Sequence, residues 1–147
     1  MAQVRLAVDT TVPIYALGVP SPQRAACRGL IDAVAAERVR LEASIGIVQE
    51  VAHVRSHRTG DRDDAARQAQ RLLTLLECHP VERPDMERAL GLFAAHRRLD
   101  MLDALHAATA LNHGHDRIVT ADRAFDDVAQ LQRIEPVDAL ALLEEDA

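Results

Sequence analysis

The sequence predicts an α/β fold, a parallel sheet covered by helices on both faces. Three observations predict it. Short runs rich in Val, Ile and Leu recur early and late in the chain, as expected of buried strands. Longer stretches with apolar residues at helical spacing separate them. The order is strand, helices, strand, helices, strand, with no internal repeat, low-complexity segment or linker.

Val4 to Val8 reads as the first buried strand and ends at an acid, Asp9. Thr10, Thr11 and Pro13 suit a helix start, with hydroxyl caps followed by Pro in the first turn. Pro20-Ser21-Pro22 is a break. Gln23 to Glu37 follows at helical spacing through Ala26, Cys27, Leu30, Ile31 and Val34. Val39 to Ala43 is a short strand, and Ser44 is placed to cap a helix through Ile47, Val48, Val51 and Val54. His57 to Asp64 is polar, contains Gly60 and reads as a loop. Ala65 to Glu77 is a helix, and Cys78 to Val81 a short connection. Asp85 to His96 is a further helix. Leu102 to His113 is apolar on nearly all sides, a buried helix ended by Gly114. Arg117 to Thr120 is a buried strand, Leu131 to Val137 a last one, and Asp138 begins a short final helix.

The 147 residues suit one domain, taken as 1–147. A domain of this size buries roughly 68–70% of its unfolded surface and needs no covalent staple. Cys27 and Cys78 stand far apart with no Cys-x-x-Cys pair, so they read as buried small hydrophobes. No apolar run approaches the ~18 residues of a membrane helix, and the N-terminus lacks a signal-peptide pattern, so the expectation is a cytoplasmic protein without a membrane partner. The net charge of −6 argues against coating nucleic acid by bulk electrostatics. Three aromatic residues, Tyr15, Phe93 and Phe125, are too few for a base-stacking platform.

Most of the 23 acids fall on solvated faces or loops, and four do not. Asp9 and Asp122 follow strands, and ligands of open α/β sheets bind beyond the carboxyl ends of strands. Asp103 opens the most apolar helix, and Glu50 lies in another. Each has an ordinary alternative as a cap, a first-turn acid or a solvated side chain. Their joint placement is the signal. Two charges 4 Å apart repel by about 4 kcal/mol at an effective dielectric of about 20. Such a cluster calls for a cation or for protonation. All-oxygen ligation favours Mg²⁺ or Mn²⁺, which suits water activation at a phosphodiester.

At these residues the sequence resembles the PIN-domain family, especially VapC-type toxins. Val8 to Leu17 (Val-Asp-Thr-Thr-Val-Pro-Ile-Tyr-Ala-Leu) resembles the family's first strand and first acid. Gln49 to Ala52 falls where it places its helical Glu. Leu102 to Leu111 resembles its third acid and buried helix, and Ile118 to Asp126 its last strand and fourth acid. The resemblance runs from Val4 to about Asp138. It implies a three-layer α/β/α sandwich with a short, mostly parallel central sheet. It also implies a metal-dependent endoribonuclease using Mg²⁺ or Mn²⁺, an RNA substrate, a cognate antitoxin and a homodimer, for which the Ala-rich helices offer apolar surface. Asp9, Glu50, Asp103 and Asp122 would be its catalytic and metal-binding residues. Thr11 and Thr120 match supporting hydroxyls, and Asp126 and Asp100 would be outer acids.

Arg55, Arg58, Arg62, Arg67 and Arg71 are either phosphate contacts or a solvated face paired with Asp61, Asp63 and Asp64. Other readings of the whole are a His/Asp metal hydrolase, with His106 three residues after Asp103, and a non-catalytic PIN-like binding module. A phosphatase with an aspartyl nucleophile is a third, but Thr11 stands where a second Asp would be expected. No His-Glu-x-x-His spacing is present.

Overall fold

The computed structural model describes residues 3–145, and the two outermost positions at each end of the expected 1–147 domain lie outside the described residues. Five parallel strands form one sheet in the order β3-β2-β1-β4-β5. They are β1 (Val4–Val8), β2 (Val39–Ser44), β3 (Glu77–His79), β4 (Arg117–Val119) and β5 (Gln132–Ile134). Val4 sits opposite Val39 and Leu6 opposite Leu41, while Ala7 faces Ile118 and Val8 faces Val119 on the other side. The chain adds β2 and β3 to one edge of β1, then returns to add β4 and β5 to the other. The sheet therefore reverses direction between β1 and β4, the place where open α/β sheets form a crevice.

The pleat of β1 divides the core. Leu6 and Val8 point to one face, where they join Leu30, Ile47, Val51, Leu72 and Ala139. That face is covered by α1 (Thr11–Leu17), α2 (Pro22–Ala35), α3 (Gly46–Thr59), α4 (Arg62–Leu75) and α7 (Pro136–Glu145). Ala7 and Ile118 point the other way, onto Ala107 of α6 (Met101–Asn112), Phe125 and Leu131. Helix α5 (Arg83–Ala95) packs on α6 through Ala89, Ala104 and Ala108. The expected three layers are present. Every residue of α6 from Ala104 to Ala110 is buried, which is why its sequence shows no polar face.

Several local expectations need correction. His57 to Asp64 is not a loop. Helix α3 runs to Thr59, Gly60 turns the chain at φ +69°, and Asp61 caps α4 by accepting the Asp64 N–H at 2.9 Å. A left-handed glycine followed by an Asp cap needs only two residues to join two helices. Cys78 to Val81 begins within edge strand β3, whose three residues are too few to show a period. Helix α7 starts at Pro136 rather than Asp138, with proline in a first-turn position that needs no N–H. Thr10 makes no capping bond, because its hydroxyl is engaged elsewhere.

Candidate active site

The carboxyl ends of β1 and β4 lie side by side at the reversal of strand order, and the chain places an acid just beyond each. Asp9 is almost fully buried at 1% exposure. Its Oδ1 accepts both the Thr11 N–H (3.1 Å) and the Thr11 hydroxyl (2.6 Å). Thr11 Oγ1 in turn accepts the Ala121 N–H at 3.1 Å and lies 3.3 Å from Thr120 Oγ1. Thr120 Oγ1 accepts the Asp122 N–H at 2.9 Å. The two threonines thus fasten the end of β1 to the end of β4 and fix the backbone of both acids. Asp122 Oδ1 also accepts the Ala124 N–H at 2.9 Å, starting a 3₁₀ turn over Arg123–Asp127.

Two helices bring the other acids over this edge. Glu50 lies on the second turn of α3, and its Oε2 is 3.2 Å from Nε2 of His106 on α6. The His106 side chain is wholly enclosed. Its Nε2 is also 3.0 Å from Thr10 Oγ1, and its Nδ1 is 3.3 Å from Ser44 Oγ. Ser44 Oγ accepts the Gly46 N–H at 3.2 Å, so its own proton is free for Nδ1. This arrangement places the ring proton on Nε2, facing Glu50 and Thr10. Both nitrogens are engaged with protein groups, so His106 offers no lone pair to an ion. Asp103 stands one turn before His106, and Asp100 caps that turn by accepting the Asp103 N–H at 2.8 Å.

Asp103 lies within electrostatic reach of the other three acids. The Asp103 carboxyl is pushed up to about 8, first by burial and then by Asp100, Asp9, Asp122 and Glu50. Burial drives Asp9 up to about 6, against the opposing pull of Thr11, His106 and Thr120. Burial also opposes ionisation of Glu50, but the hydrogen bonds of His106 and Thr10 outweigh it and hold this carboxyl below its ordinary value. The set therefore combines an ionised, anchored Glu50 with two acids that pay for their charge in the absence of a counter-ion.

This donor set fits a hard divalent cation. All four groups are carboxylates. Among the described residues no three His, Cys, Asp or Glu side chains converge closely enough to enclose an ion unaided. Mg²⁺ is commonly held by one or two carboxylates with water and substrate phosphate completing its shell, so a closed cage is not required.

Of the residues singled out in the sequence, Thr11 and Thr120 tie Asp9 to Asp122, and Asp103 lies within electrostatic reach of Asp9, Asp122 and Glu50. Asp100 stands at the rim as a helix cap. Asp126 does not join them; it is exposed and accepts from Arg133 Nε at 2.9 Å. Sequence reasoning missed the roles of Thr10 and Ser44, whose only signal was a hydroxyl after each of two strands. It also missed a second buried acid, Glu42 on β2, held by Arg5, His79 and His115. That group lies on the α6 side of the sheet and is a structural ion cluster. Cys27 is a buried free thiol and Cys78 a half-buried one. No helix among the described residues is long and apolar enough to cross a membrane.

Comparisons with known proteins bear on the family and the fold. Residues 6–131 match the PIN domain family model. The chain is 37% identical over 135 residues to Ribonuclease VapC7 of Mycobacterium tuberculosis, covering 89% of this chain and 91% of that one. It is 27% identical to VapC ribonuclease Mb1869c of Mycobacterium bovis, covering 86% and 97%. Among solved structures, VapBC2 from Rickettsia felis bound to a promoter DNA fragment superposes with a TM-score of 0.69 at 13% identity, covering 90% of this chain and 98% of that one. PAE2754 from Pyrobaculum aerophilum gives 0.65 at 19% identity, covering 98% and 99%. The fold, the matched span and the identity to the ribonuclease relatives establish that the chain belongs to the PIN-domain family, among the VapC ribonucleases.

Proposed function

We propose that the protein is a metal-dependent endoribonuclease, the toxin of a toxin–antitoxin pair, with Asp9, Glu50, Asp103 and Asp122 as its catalytic and metal-binding residues. The observation that carries this reading is the threonine link that holds Asp9 and Asp122 side by side at the switch point of the sheet, with Asp103 pushed up to about 8 by burial and by the other acids. Mg²⁺ or Mn²⁺ is the fitting ion. When bound, such an ion neutralises charge on a phosphodiester and favours ionisation of water.

The chain's own residues set the stage for that chemistry. Thr11 and Thr120 lock Asp9 and the backbone of Asp122 so that neither acid has to reorganise. His106 holds one oxygen of Glu50 and leaves the other for the site. Asp103, the acid most strongly raised, gains most from a counter-ion and is the residue whose removal should be felt first.

The partner reading rests on relatives. One similar structure is described as a toxin–antitoxin complex from Klebsiella pneumoniae, with a TM-score of 0.61. A cognate antitoxin is proposed here on that basis and on the identity to the VapC ribonucleases. For the homodimer, α6 is not the available surface, since it is buried within the chain. The exposed apolar stripe lies instead on α5, where Met86, Leu90 and Phe93 recur at i, i+4 and i+7. This supports α5 as the face for a second copy.

The test is cleavage of total cellular RNA by tag-free protein with Mg²⁺, with Mn²⁺ and with EDTA. Products that require the metal and disappear when a co-expressed antitoxin is present support the reading. Products that persist in EDTA contradict the metal assignment.

A further inference from the structure

The arginines of α3 and α4 divide into two sets. Arg55 donates to Asp64 at 3.0 Å, and Arg67 stands 3.9 Å from the same carboxylate. Arg62 is exposed and makes no ion pair among the described residues. It opens onto a concavity of about 350 Å³ between α3 and α4, lined also by Ala52, His53, Ser56, His57 and Ala66.

This concavity lies along the helix that carries Glu50. Glu50, His53 and His57 fall at i, i+3 and i+7 of α3 and so share one face. The helical rise places His57 about 10 Å along the axis from Glu50. His53 is near enough to act on the Glu50 carboxylate electrostatically. The two imidazoles lie 4.2 Å apart between centroids, and His57 Nδ1 donates to the His53 carbonyl oxygen at 2.9 Å, so Nε2 donates to an anion only as the imidazolium.

We propose that this concavity is a subsite for a backbone phosphate of bound RNA, held by Arg62 with support from His53 and His57. The inference rests on the ribonuclease reading. A net charge of −6 gives the molecule no general attraction for a polyanion, so a strand must be gripped by local cations. The guanidinium of Arg62 presents the fork of donors that phosphate geometry favours. Neighbouring acids do not cancel it. Asp64 is engaged by Arg55 and Arg67, Asp61 caps α4, and Asp63 does not line the concavity. An anionic strand leaving the scissile site along α3 would thus meet Arg62 across the hairpin, at the start of α4.

The test uses a fluorescently labelled, mixed-sequence RNA oligonucleotide, with binding measured in an Asp103→Asn background and cleavage measured with Asp103 intact. Arg62→Ala should weaken binding about three- to tenfold. It should raise KM with kcat unchanged, and reduce the slope of log K against log salt by about 0.7. Arg71→Ala, an α4 arginine outside this concavity, should leave all three unchanged. If the parent binds and cleaves while Arg62→Ala matches it in affinity, KM and salt slope, the subsite is overturned and the ribonuclease reading stands. If the parent neither binds nor cleaves RNA with Mg²⁺ or Mn²⁺, both fall together.

Discussion

His106 Nε2 lies 3.2 Å from Glu50 Oε2, joining a wholly buried imidazole on α6 to an acid on α3. The contact fixes the Glu50 carboxylate without placing His106 among the groups an ion could reach. Partners that orient ligands in this way are typically worth about 10- to 100-fold in metal affinity or activity. His106→Leu, which refills the ring's volume, should lower kcat and weaken Mn²⁺ binding by about that factor, with KM for RNA much less affected. A folded His106→Leu protein with parental kcat and Mn²⁺ affinity would reduce His106 to a packing residue.

The raised acids make a stability prediction whose sign can be worked out. Asp9 and Asp103 have folded values of about 6 and about 8, above the ordinary 3.8. Between 3.8 and those values the folded protein binds more protons than the unfolded chain. Without metal, the contribution of these two groups to stability therefore falls as pH rises through that window. Asp103→Asn removes the most strongly raised acid and accepts no new burden, because the helix cap there is supplied by Asp100. In EDTA at pH 8 the variant should melt a few degrees above the parent, since about 1 kcal/mol shifts Tm by roughly 2–4 °C at this size. A variant melting well below the parent in EDTA contradicts the electrostatic account.

The sequence made the sheet's first and fourth strands, the long helices and the four acids legible because each carried a strong local pattern. Val4 to Val8 ended at an acid, and α6 was apolar on every side. What it hid was long-range. His106 stands 56 residues from Glu50 and 96 from Thr10, so no local spacing announces their contact. The pairing of Asp64 with Arg55 was one of the two readings of these arginines, but the expected loop at Gly60 concealed the tight helical hairpin that makes it. Asp126, expected as an outer acid, is placed by a contact that its own segment does not announce. It lies near Asp122 in sequence, but the 3₁₀ turn swings it outward to Arg133.

Glu42 should matter to the fold and little to the chemistry. Burial resists its charge, but hydrogen bonds from Arg5 and His79, with His115 close by, prevail and hold its carboxyl at about 2, below the ordinary 4.5. A depressed carboxylate contributes stability that is fully present above 4.5 and is lost as pH falls toward 2. Glu42→Gln should cost about 2 kcal/mol, the scale of leaving buried polar partners unmatched. Its acid-side loss of stability in urea melts should be shallower than the parent's. An unchanged acid limb would show that Glu42 does not govern it.

Cys27 should be inert in the native protein. Burial, and then the charge of Asp9, push its thiol up to about 12, so almost no thiolate exists at neutral pH. Native alkylation with iodoacetamide should leave Cys27 unmodified, whereas urea-unfolded protein should react at both cysteines. Rapid native labelling at Cys27 would mean that the core around β1 opens far more readily than its packing suggests.

The central claim is that Asp9, Glu50, Asp103 and Asp122 form one cation site. The most direct measurement is Mn²⁺ binding by calorimetry to the parent, Asp9→Asn, Glu50→Gln, Asp103→Asn, Asp122→Asn and, as a distant control, Asp126→Asn. The account predicts saturable Mn²⁺ binding that each of the four substitutions weakens by at least about tenfold, the scale of one lost charged ligand, while Asp126→Asn binds as the parent does. Binding that survives all four substitutions, or that Asp126→Asn abolishes, would contradict it.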